Sequence, residues 1–307
     1  MEKKTIKISV TEGNRGRRLD KFLAESLPDR FSRASIQKLI VSGDVTVNGA
    51  PGKNNYRMRS GDMIEVRVPT ASPPSLEGED IPLDIVYEDK YLLVVNKPAG
   101  MVVHPAPGNW TGTLANALVA HCKGLPASGD ALRPGIVHRL DKGTSGLLVV
   151  AKNEAVHRSL AKQFKNKTTR RVYVALVKGV VELDNGVIDL PVGRSAHDRK
   201  KMAVRFEETS KDARTSYRVL RRFKYFTLLE LILGTGRTHQ IRVHMAYIDH
   251  PVLGDAQYGT RGDLSRPALH AKMLGFVHPV TKKYMEFSSD LPDDIAGVIE
   301  KETKKKV

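Results

Sequence analysis

HRLDKGTSGLLVVAK, residues 138–152, places a single carboxylate, Asp141, between an arginine and a glycine-bounded turn. The apolar residues 147–151 that follow have the length and the branched side chains of a buried strand. An acid beside Arg139, next to glycines that let a ligand approach the backbone, is typical of a reactive carboxylate. The same pattern also fits an aspartate that caps a turn and pairs with Arg139, so this stretch alone leaves both interpretations open.

The composition predicts a polyanionic partner. The 307 residues include 50 Lys+Arg and 34 Asp+Glu, a formal net charge of +16, which favours nucleic acid over membrane as the partner. No apolar run approaches the roughly 20 residues needed to cross a bilayer. The single cysteine, Cys122, excludes an internal disulfide and a cysteine metal cluster and fits a reducing compartment, so we expect a cytoplasmic protein.

Basic residues are concentrated just after residues 138–152. Between Ala155 and Val181 the chain has seven bases and no acid, and a second cluster comprises Arg194 and residues 199–201. A charge run is often only a solvated surface, and we interpret the terminal lysines 304–306 in that way. The two clusters near the candidate carboxylate instead favour contact with a nucleic-acid backbone.

A change of composition predicts the domain boundaries. Residues 69–82, PTASPPSLEGEDIP, contain four prolines and reverse the sign of the local charge, which is typical of a linker. We therefore predict a small domain over residues 1–69, a linker over 70–82, a large domain over 83–295 and a charged tail over 296–307.

The first of these domains has its own pattern of elements. Residues 4–10 alternate as in a strand, and apolar spacing predicts a helix over 19–27 and a second helix with Ser32 as its N-cap. Residues 45–49, VTVNG, predict a strand that ends in an Asn-Gly turn, and residues 63–68 predict a further strand.

The pattern RRLDKFLAE…SRASIQKLI..GDVTVNG…..GD.IEV over residues 17–66 resembles the S4 RNA-binding domain. The resemblance implies that one side of the module faces RNA, and basic residues at helix ends and in turns suit phosphate contacts. Single positions also fit ordinary solvated charges. The RNA-facing residues that the resemblance implies are Arg17, Arg18, Ser32, Arg33, Lys38, Asn48 and Lys53.

Beyond the linker, predicted strands outnumber predicted helices. This mixture favours an α+β fold with a large mixed, mostly antiparallel sheet over a doubly wound α/β fold. We predict two strands joined by a Lys-Pro-Ala-Gly turn over 91–105, further strands over 170–181, 214–222 and 226–233, and helices over 112–122, 153–163 and 238–247.

A second informative string is LGTGRTHQIRVH, residues 233–244. It lacks the third glycine of a dinucleotide fingerprint, and Ser145 is one residue out of place for a nucleophile elbow. The histidines of the chain show no HExxH or Cys/His spacing, so we expect no metal. An arginine on the helix after this turn can reach a carboxylate of another strand and hold it ionised.

Together, HRLD..TSGLLV.AK, VYVALV.G and TGRTHQIRVH resemble the RluA/RluD-type pseudouridine synthases. The strings NKPAGMVVHP, HPVLGDAQYG and LHAKMLGFVHP belong to the same pattern, which covers residues 15–292 in order. With the S4-like module, the chain is most similar to the family's large-subunit rRNA synthases, and the resemblance implies a pseudouridine synthase catalytic domain that needs no cofactor.

The resemblance also implies roles for individual residues. Asp141 would attack the nucleoside, Tyr173 would stack on the base and assist proton removal at C5, and Arg242 would pair with Asp141. The uridine would be extruded from the RNA before reaction, since its glycosidic bond is otherwise inaccessible. The residues implied to bind the substrate are Arg139, which would fill the gap left by the flipped base, Leu269, which would wall the pocket, His138 and Thr144.

The expected partner is therefore RNA, namely large-subunit rRNA or a pre-ribosomal particle, with no DNA or membrane partner and with a monomeric enzyme. Three alternatives stay open at this point: a tRNA pseudouridine synthase of the same family, a non-catalytic S4-type RNA-binding protein, and a hydrolase that uses Asp141 on a phosphodiester. The sequence does not identify the target uridine.

Overall fold

The computed structural model describes residues 3–27, 33–69, 76–106, 108–126, 131–196, 198, 201–259 and 264–304, so the predicted N-cap Ser32 lies outside the described residues. The chain forms two compact units, Met1–Pro74 and Ser75–Val307. Within the described ranges, no helix has the length and apolar character that a membrane span requires.

The first unit is a small sheet with two helices and one core. Its buried apolar residues include Leu19 and Leu23 on the first helix and Ile36 and Ile40 on the second. In the predicted Asn-Gly turn, Asn48 and Gly49 have φ of 51° and 81°, the left-handed values that a tight hairpin requires. The elements are β1 (Lys3–Ser9), α1 (Leu19–Ser26), α2 (Arg33–Val41), β2 (Val45–Val47), β3 (Ala50–Pro51) and β4 (Met63–Pro69), with sheet order β1-β4-β2-β3.

The second unit is built on a nine-stranded sheet. Eight of its strands have the order β5-β6-β7-β14-β8-β13-β12-β9, and the ninth, β15, pairs with β14. Strands β7 and β14 are parallel, and the other described strand pairs are antiparallel, which confirms the predicted mixed, mostly antiparallel sheet. A separate hairpin consists of β10 and β11. The strands are β5 (Ile85–Glu88), β6 (Leu92–Lys97), β7 (Ser145–Ala151), β8 (Arg170–Lys178), β9 (Asn185–Asp189), β10 (Val192–Arg194), β11 (Met202–Val204), β12 (Arg214–Arg222), β13 (Phe226–Leu233), β14 (Leu269–Val277) and β15 (Tyr284–Ser288).

Both faces of the sheet are covered at its central strands β7 and β8, which explains why their sequences are mostly continuous apolar runs. Leu148 and Val150 of β7 belong to one core, whereas Leu147 and Val149 belong to another, as the two-residue side-chain period of a strand requires. The helices are α3 (Leu114–His121), whose leucines join the first core, α4 (Glu154–Lys165), whose Val156 and Leu160 join the second, α5 (Gln240–Tyr247) and α6 (Asp293–Lys304).

Several predicted elements are confirmed at their ends. Strands β12 and β13 have the predicted bounds, and α4 begins where Asn153 was expected to cap it. The Asn153 side chain accepts a hydrogen bond from the Val156 amide, which satisfies one free donor of the first turn.

The second strand predicted within residues 91–105 is wrong. The carbonyls of Val102 and Val103 accept hydrogen bonds from the Leu114 and Ala115 amides at the start of α3, so this segment packs on a helix end rather than on a strand. The buried Lys97 ammonium donates to the carbonyls of Pro98 and Met101 and holds the turn in place.

The second unit extends beyond the predicted limits of residues 83–295. Leu76 packs against its main core, and the Asn116 side chain donates to the Glu77 carbonyl, so the described end of the predicted linker is part of this unit. The segment predicted as a charged tail is helical to Lys304 because the apolar face of α6, with Ile295 and Ile299, packs on the same core.

Candidate active site

A cavity of about 520 Å³ lies between the turn before β7, the end of α4, β8, the end of β13 and the start of α5. Its volume lies within the range of roughly 300–1,000 Å³ that is usual for small-molecule sites. The site residues implied for the second unit all line it, although they come from distant parts of the chain. They are His138, Arg139, Asp141, Thr144, Tyr173, Arg242 and Leu269.

Asp141 stands in the turn that leads into β7. Its carbonyl accepts the Thr144 amide at 3.0 Å, which closes the turn and fixes the carboxylate at the mouth of the strand. The side chain is 18% exposed, and its Oδ2 lies 3.3 Å from Nη1 of Arg242. It is the one acid among the described residues that line the cavity.

Arg242 is shared between two carboxylates. Its Nε and Nη2 donate to the two oxygens of buried Asp255 at 2.6 and 2.9 Å, and its Nη1 reaches Asp141. Burial acts to raise the Asp255 pKa, but the hydrogen bonds and charge of Arg242 outweigh it and hold that pKa below its usual value. Asp255 therefore remains a carboxylate that holds the guanidinium in position.

His239 lies beside the same carboxylate. It is the N-cap residue of α5, with a left-handed φ of 57°, and its Nε2 is 3.8 Å from Oδ2 of Asp141. Its Nδ1 shares a hydrogen bond of 2.8 Å with the Tyr258 hydroxyl, which also accepts the Met202 amide of β11. Burial lowers the His239 pKa, although the charge of Asp141 acts in the opposite direction.

Tyr173 is buried on β8. Burial raises its pKa to about 12, so the phenol is protonated at neutral pH. Leu269, at the start of β14, is buried and pairs in register with Ala175 of β8, the strand that carries Tyr173. The ring of Tyr173 and the side chain of Leu269 thus supply apolar surface in a cavity that several cationic side chains also line.

His138 helps to form the wall of the cavity. Its Nε2 accepts the Val149 amide at 3.1 Å, and its ring stacks on Phe164 with centroids 4.3 Å apart. Burial lowers its pKa to about 3, which keeps the ring neutral and able to accept that hydrogen bond. Of the other implied substrate residues, Arg139 is exposed and Thr144 is buried.

The sequence interpretation missed three residues of this arrangement: Asp255, Tyr258 and His239. The first two lie in HPVLGDAQYG and the third in TGRTHQIRVH, strings that were recognised without a role for these residues. The signal was thus present, but only the fold shows that Asp255 binds the arginine that reaches Asp141.

The residues implied to face RNA in the first unit have different surroundings. Arg18 and Arg33 both donate to buried Asp20, which also accepts from Gln37, and the Asn48 side chain bonds Asp62 and the Met63 amide. Arg17 pairs with Glu25, whereas Lys38 and Lys53 are exposed.

A cluster outside the cavity has metal-binding residue types. The ligand atoms of Glu88, His121 and Cys122 lie within 4.8 Å of one another. However, the Lys152 ammonium is 2.5 Å from Oε1 of Glu88, and it neutralises the carboxylate that a cation would need. This cluster therefore has the geometry of an ion-pair network.

Comparison with known proteins places these features in context. The family model described as RNA pseudouridylate synthase matches residues 91–247, and that of the S4 domain matches residues 17–64. The chain is 50% identical to the uncharacterized RNA pseudouridine synthase YlyB of Bacillus subtilis, over 96% of this chain and 97% of that protein. It is 46% identical to the ribosomal large subunit pseudouridine synthase D of Zymomonas mobilis, over 95% of each chain.

Solved structures agree with this similarity. Human RNA Pseudouridylate Synthase Domain Containing 4 superposes with a TM-score of 0.58 at 26% identity, over 71% of this chain and 92% of that one. Human RNA Pseudouridylate Synthase Domain Containing 1 superposes with a TM-score of 0.57 at 28% identity, over 71% of this chain and 88% of that one.

Proposed function

This chain belongs to the RNA pseudouridylate synthase family and is an RNA pseudouridine synthase, and we propose that its substrate is the RNA of the large ribosomal subunit. Relatives in Zymomonas mobilis, Nitrosomonas europaea and Neisseria meningitidis, 44–46% identical, carry the name ribosomal large subunit pseudouridine synthase D. The S4 domain and the net charge of +16 support a large structured RNA as the substrate.

In the proposed reaction, Asp141 is the nucleophile. The observation that carries this assignment is that Asp141 is the acid of the described cavity wall and is partly exposed beside an arginine. Its carboxylate attacks C1′ of the flipped uridine and the bond from C1′ to N1 breaks. The uracil then turns and rejoins C1′ through C5, and the carboxylate is released.

Tyr173 and Leu269 hold the base in this proposal. The Tyr173 ring stacks on the uracil, and its hydroxyl assists removal of the C5 proton. Because burial raises its pKa to about 12, the hydroxyl is protonated at the start of the reaction. Exposed Arg139 fills the space that the flipped uridine leaves. Thr144 contacts the substrate, and His138 supports the wall through Phe164.

Two alternative functions fit the cavity less well. A phosphodiester hydrolase of the metal-dependent type needs several carboxylates, whereas the described lining has one acid among many cations. A purely RNA-binding role leaves unexplained why Arg242 is divided between buried Asp255 and cavity-lining Asp141.

The experiment is to incubate the protein with unmodified large-subunit rRNA fragments and, separately, with unmodified tRNA. Modified positions are mapped by carbodiimide labelling, and the mass of the nucleoside is measured. We expect a mass-neutral, carbodiimide-reactive product at specific uridines of the rRNA. Modification of tRNA alone would contradict the proposed substrate, and strand cleavage would contradict the reaction.

A further inference from the structure

Arg171 lines the same cavity but has no role in the reaction described above. It precedes Tyr173 by two residues on β8, so the two side chains share one face of the strand about 7 Å apart. Arg171 is 8% exposed. Its neighbour Arg170 lies on the opposite face, where it is exposed and pairs with Glu286.

The Arg171 guanidinium is only partly satisfied. Its Nη2 donates to the Leu233 carbonyl at 3.3 Å, where β13 ends, and its carbon lies 5.7 Å from the centre of the Phe164 ring. Its Nε is buried and has no hydrogen-bond partner within the described chain. A Cβ at Gly236 would be 2.8 Å from Nη1, so this glycine leaves room at the guanidinium that another residue would take.

The charge of Arg171 is also uncompensated. Among the described residues no carboxylate forms an ion pair with it, in contrast to Arg242, which binds both Asp141 and Asp255. Burial lowers the Arg171 pKa, but a guanidinium remains protonated at neutral pH. A buried cation without a counter-charge is unfavourable in the free protein and is favourable when an anionic group enters the cavity.

Resting on the proposed function, we propose that Arg171 binds the carbonyl edge of the target uracil and stabilises the negative charge on it when the glycosidic bond breaks. Attack of Asp141 on C1′ sends the electron pair of the C1′–N1 bond to the ring, which becomes a uracil anion with charge on N1, O2 and O4. When C5 bonds to C1′, the carboxylate leaves, C5 loses a proton through Tyr173, and N1 gains a proton.

The depth of Arg171 favours the base over the RNA backbone as its ligand. The phosphates of a flipped nucleotide remain at the opening of a site, where the exposed Lys165 and Lys167 line this cavity. Arg171 instead lies inside, on the same wall as the tyrosine that stacks on the base. Preorganised donors of this kind act on charge that develops during the reaction.

The test compares single-turnover rates on rRNA fragments that carry uridine or 5-fluorouridine at the target position. Fluorine withdraws electrons and stabilises the departing ring anion, so that substrate depends less on Arg171. For Arg171→Met we expect a rate loss of about 10³-fold with uridine and of about 30-fold or less with 5-fluorouridine, measured as loss of the starting nucleoside. Arg171→Lys should lie between wild type and the methionine variant on both substrates.

Arg218→Met is the matched control, since it removes one arginine charge from an exposed position on β12 that pairs with Glu230 and does not line the cavity. Its rates should stay near those of wild type. Because the Arg171 charge has no counter-charge in the free protein, Arg171→Met should melt at or above the wild-type temperature. If Arg171→Met does not fold, Arg171→Lys tests the proposal in its place. The rate loss of Arg171→Lys must also be smaller with 5-fluorouridine than with uridine.

Three results overturn the proposal. Equal losses with the two substrates, together with a weaker salt dependence of RNA affinity, would show that Arg171 binds a phosphate. Equal losses with a lowered melting temperature would show a structural role, and wild-type rates would show no role. Failure of the proposed function gives a different result from failure of this proposal. In that case the wild-type protein itself would leave uridine in the same rRNA fragment unchanged.

Discussion

Asp20 of the first unit and Asp141 of the second are both carboxylates beside arginines, but their surroundings differ. Asp20 is fully buried and accepts hydrogen bonds from Arg18, Arg33 and Gln37. Burial acts to raise its pKa, but these donors hold the pKa far below its usual value. Asp141 is partly exposed in a cavity, and its arginine approaches one oxygen at 3.3 Å.

The two sites differ in which carboxylate accepts the hydrogen bonds of the arginine. In the second unit both oxygens of Asp255 accept hydrogen bonds from Arg242. Asp141 therefore receives only one long contact from this arginine and keeps lone pairs available to a substrate. In the first unit Asp20 accepts hydrogen bonds from both Arg18 and Arg33. A buried carboxylate whose two oxygens both accept from arginine is structural, whereas one left incompletely bonded at a cavity wall can react.

Replacing the incompletely bonded carboxylate should have the largest effect. Asp141→Asn keeps the shape but loses the proposed nucleophile, so we expect a loss of pseudouridine formation of about 10⁴-fold or more with little change in RNA affinity. Asp20→Asn should leave the rate at saturating RNA within about threefold but should lower the melting temperature of the first unit, because two arginines lose their counter-charge. Activity of Asp141→Asn within about tenfold of wild type would refute the assignment.

Replacing Asp255 tests whether its hydrogen bonds to Arg242 are needed for the reaction. Asp255→Asn removes the charge that anchors Arg242, and we expect about a 10²-fold slower reaction, since a shift of about 1 Å at a catalytic group can cost that much. The unfolding free energy should fall by about 3 kcal/mol, because a buried guanidinium loses its ionic partner. The control is Asp212→Asn, which changes an exposed carboxylate, and rates equal in the two variants would contradict the positioning role.

Removing the first unit tests whether its charges serve RNA binding. A chain that begins at Ser75 keeps the packing of Leu76 and the hydrogen bond to Glu77, so it should fold and isomerise uridine. We expect about tenfold weaker RNA binding and a shallower salt dependence, because each lost phosphate contact removes about 0.7–0.9 of a released counterion. Binding measured against salt, with modified positions mapped, checks this. An unchanged slope and map would show that the first unit serves another purpose.

The comparison of buried charged groups also includes Lys97, a buried cation whose ammonium donates hydrogen bonds to backbone carbonyls. Burial lowers its pKa to about 7, whereas in the unfolded chain it stays at 10.5. Between these values the unfolded chain binds more protons, so the unfolding free energy should rise with pH, by about 2 kcal/mol from pH 7 to 9. Lys97→Met should lack this rise, and equal pH profiles of wild type and variant in chemical denaturation would contradict the assignment.

Much of the local structure follows from neighbouring residues. Strands β12 and β13 and helix α4 follow from apolar period and from the Asn153 cap, which act over one or two turns of chain. Residues 101–105 looked equally strand-like, but their carbonyls bond the start of α3, a partner that no local pattern reveals. The helix that ends at Lys304 was missed because a few apolar residues carry its contact with the core.

The sequence by itself determined which carboxylate to examine, because Asp141 stands between an arginine and a glycine turn before a buried strand. It also determined the small RNA-binding module and the family of the large one. Only the tertiary structure decided how Arg242 is placed between the two carboxylates. Arg242 is 101 residues from Asp141 and 13 from Asp255, and its division between them depends on the packing of α5 against the sheet. Contacts of that separation depend on the whole fold, whereas helices, caps and turns depend on adjacent residues.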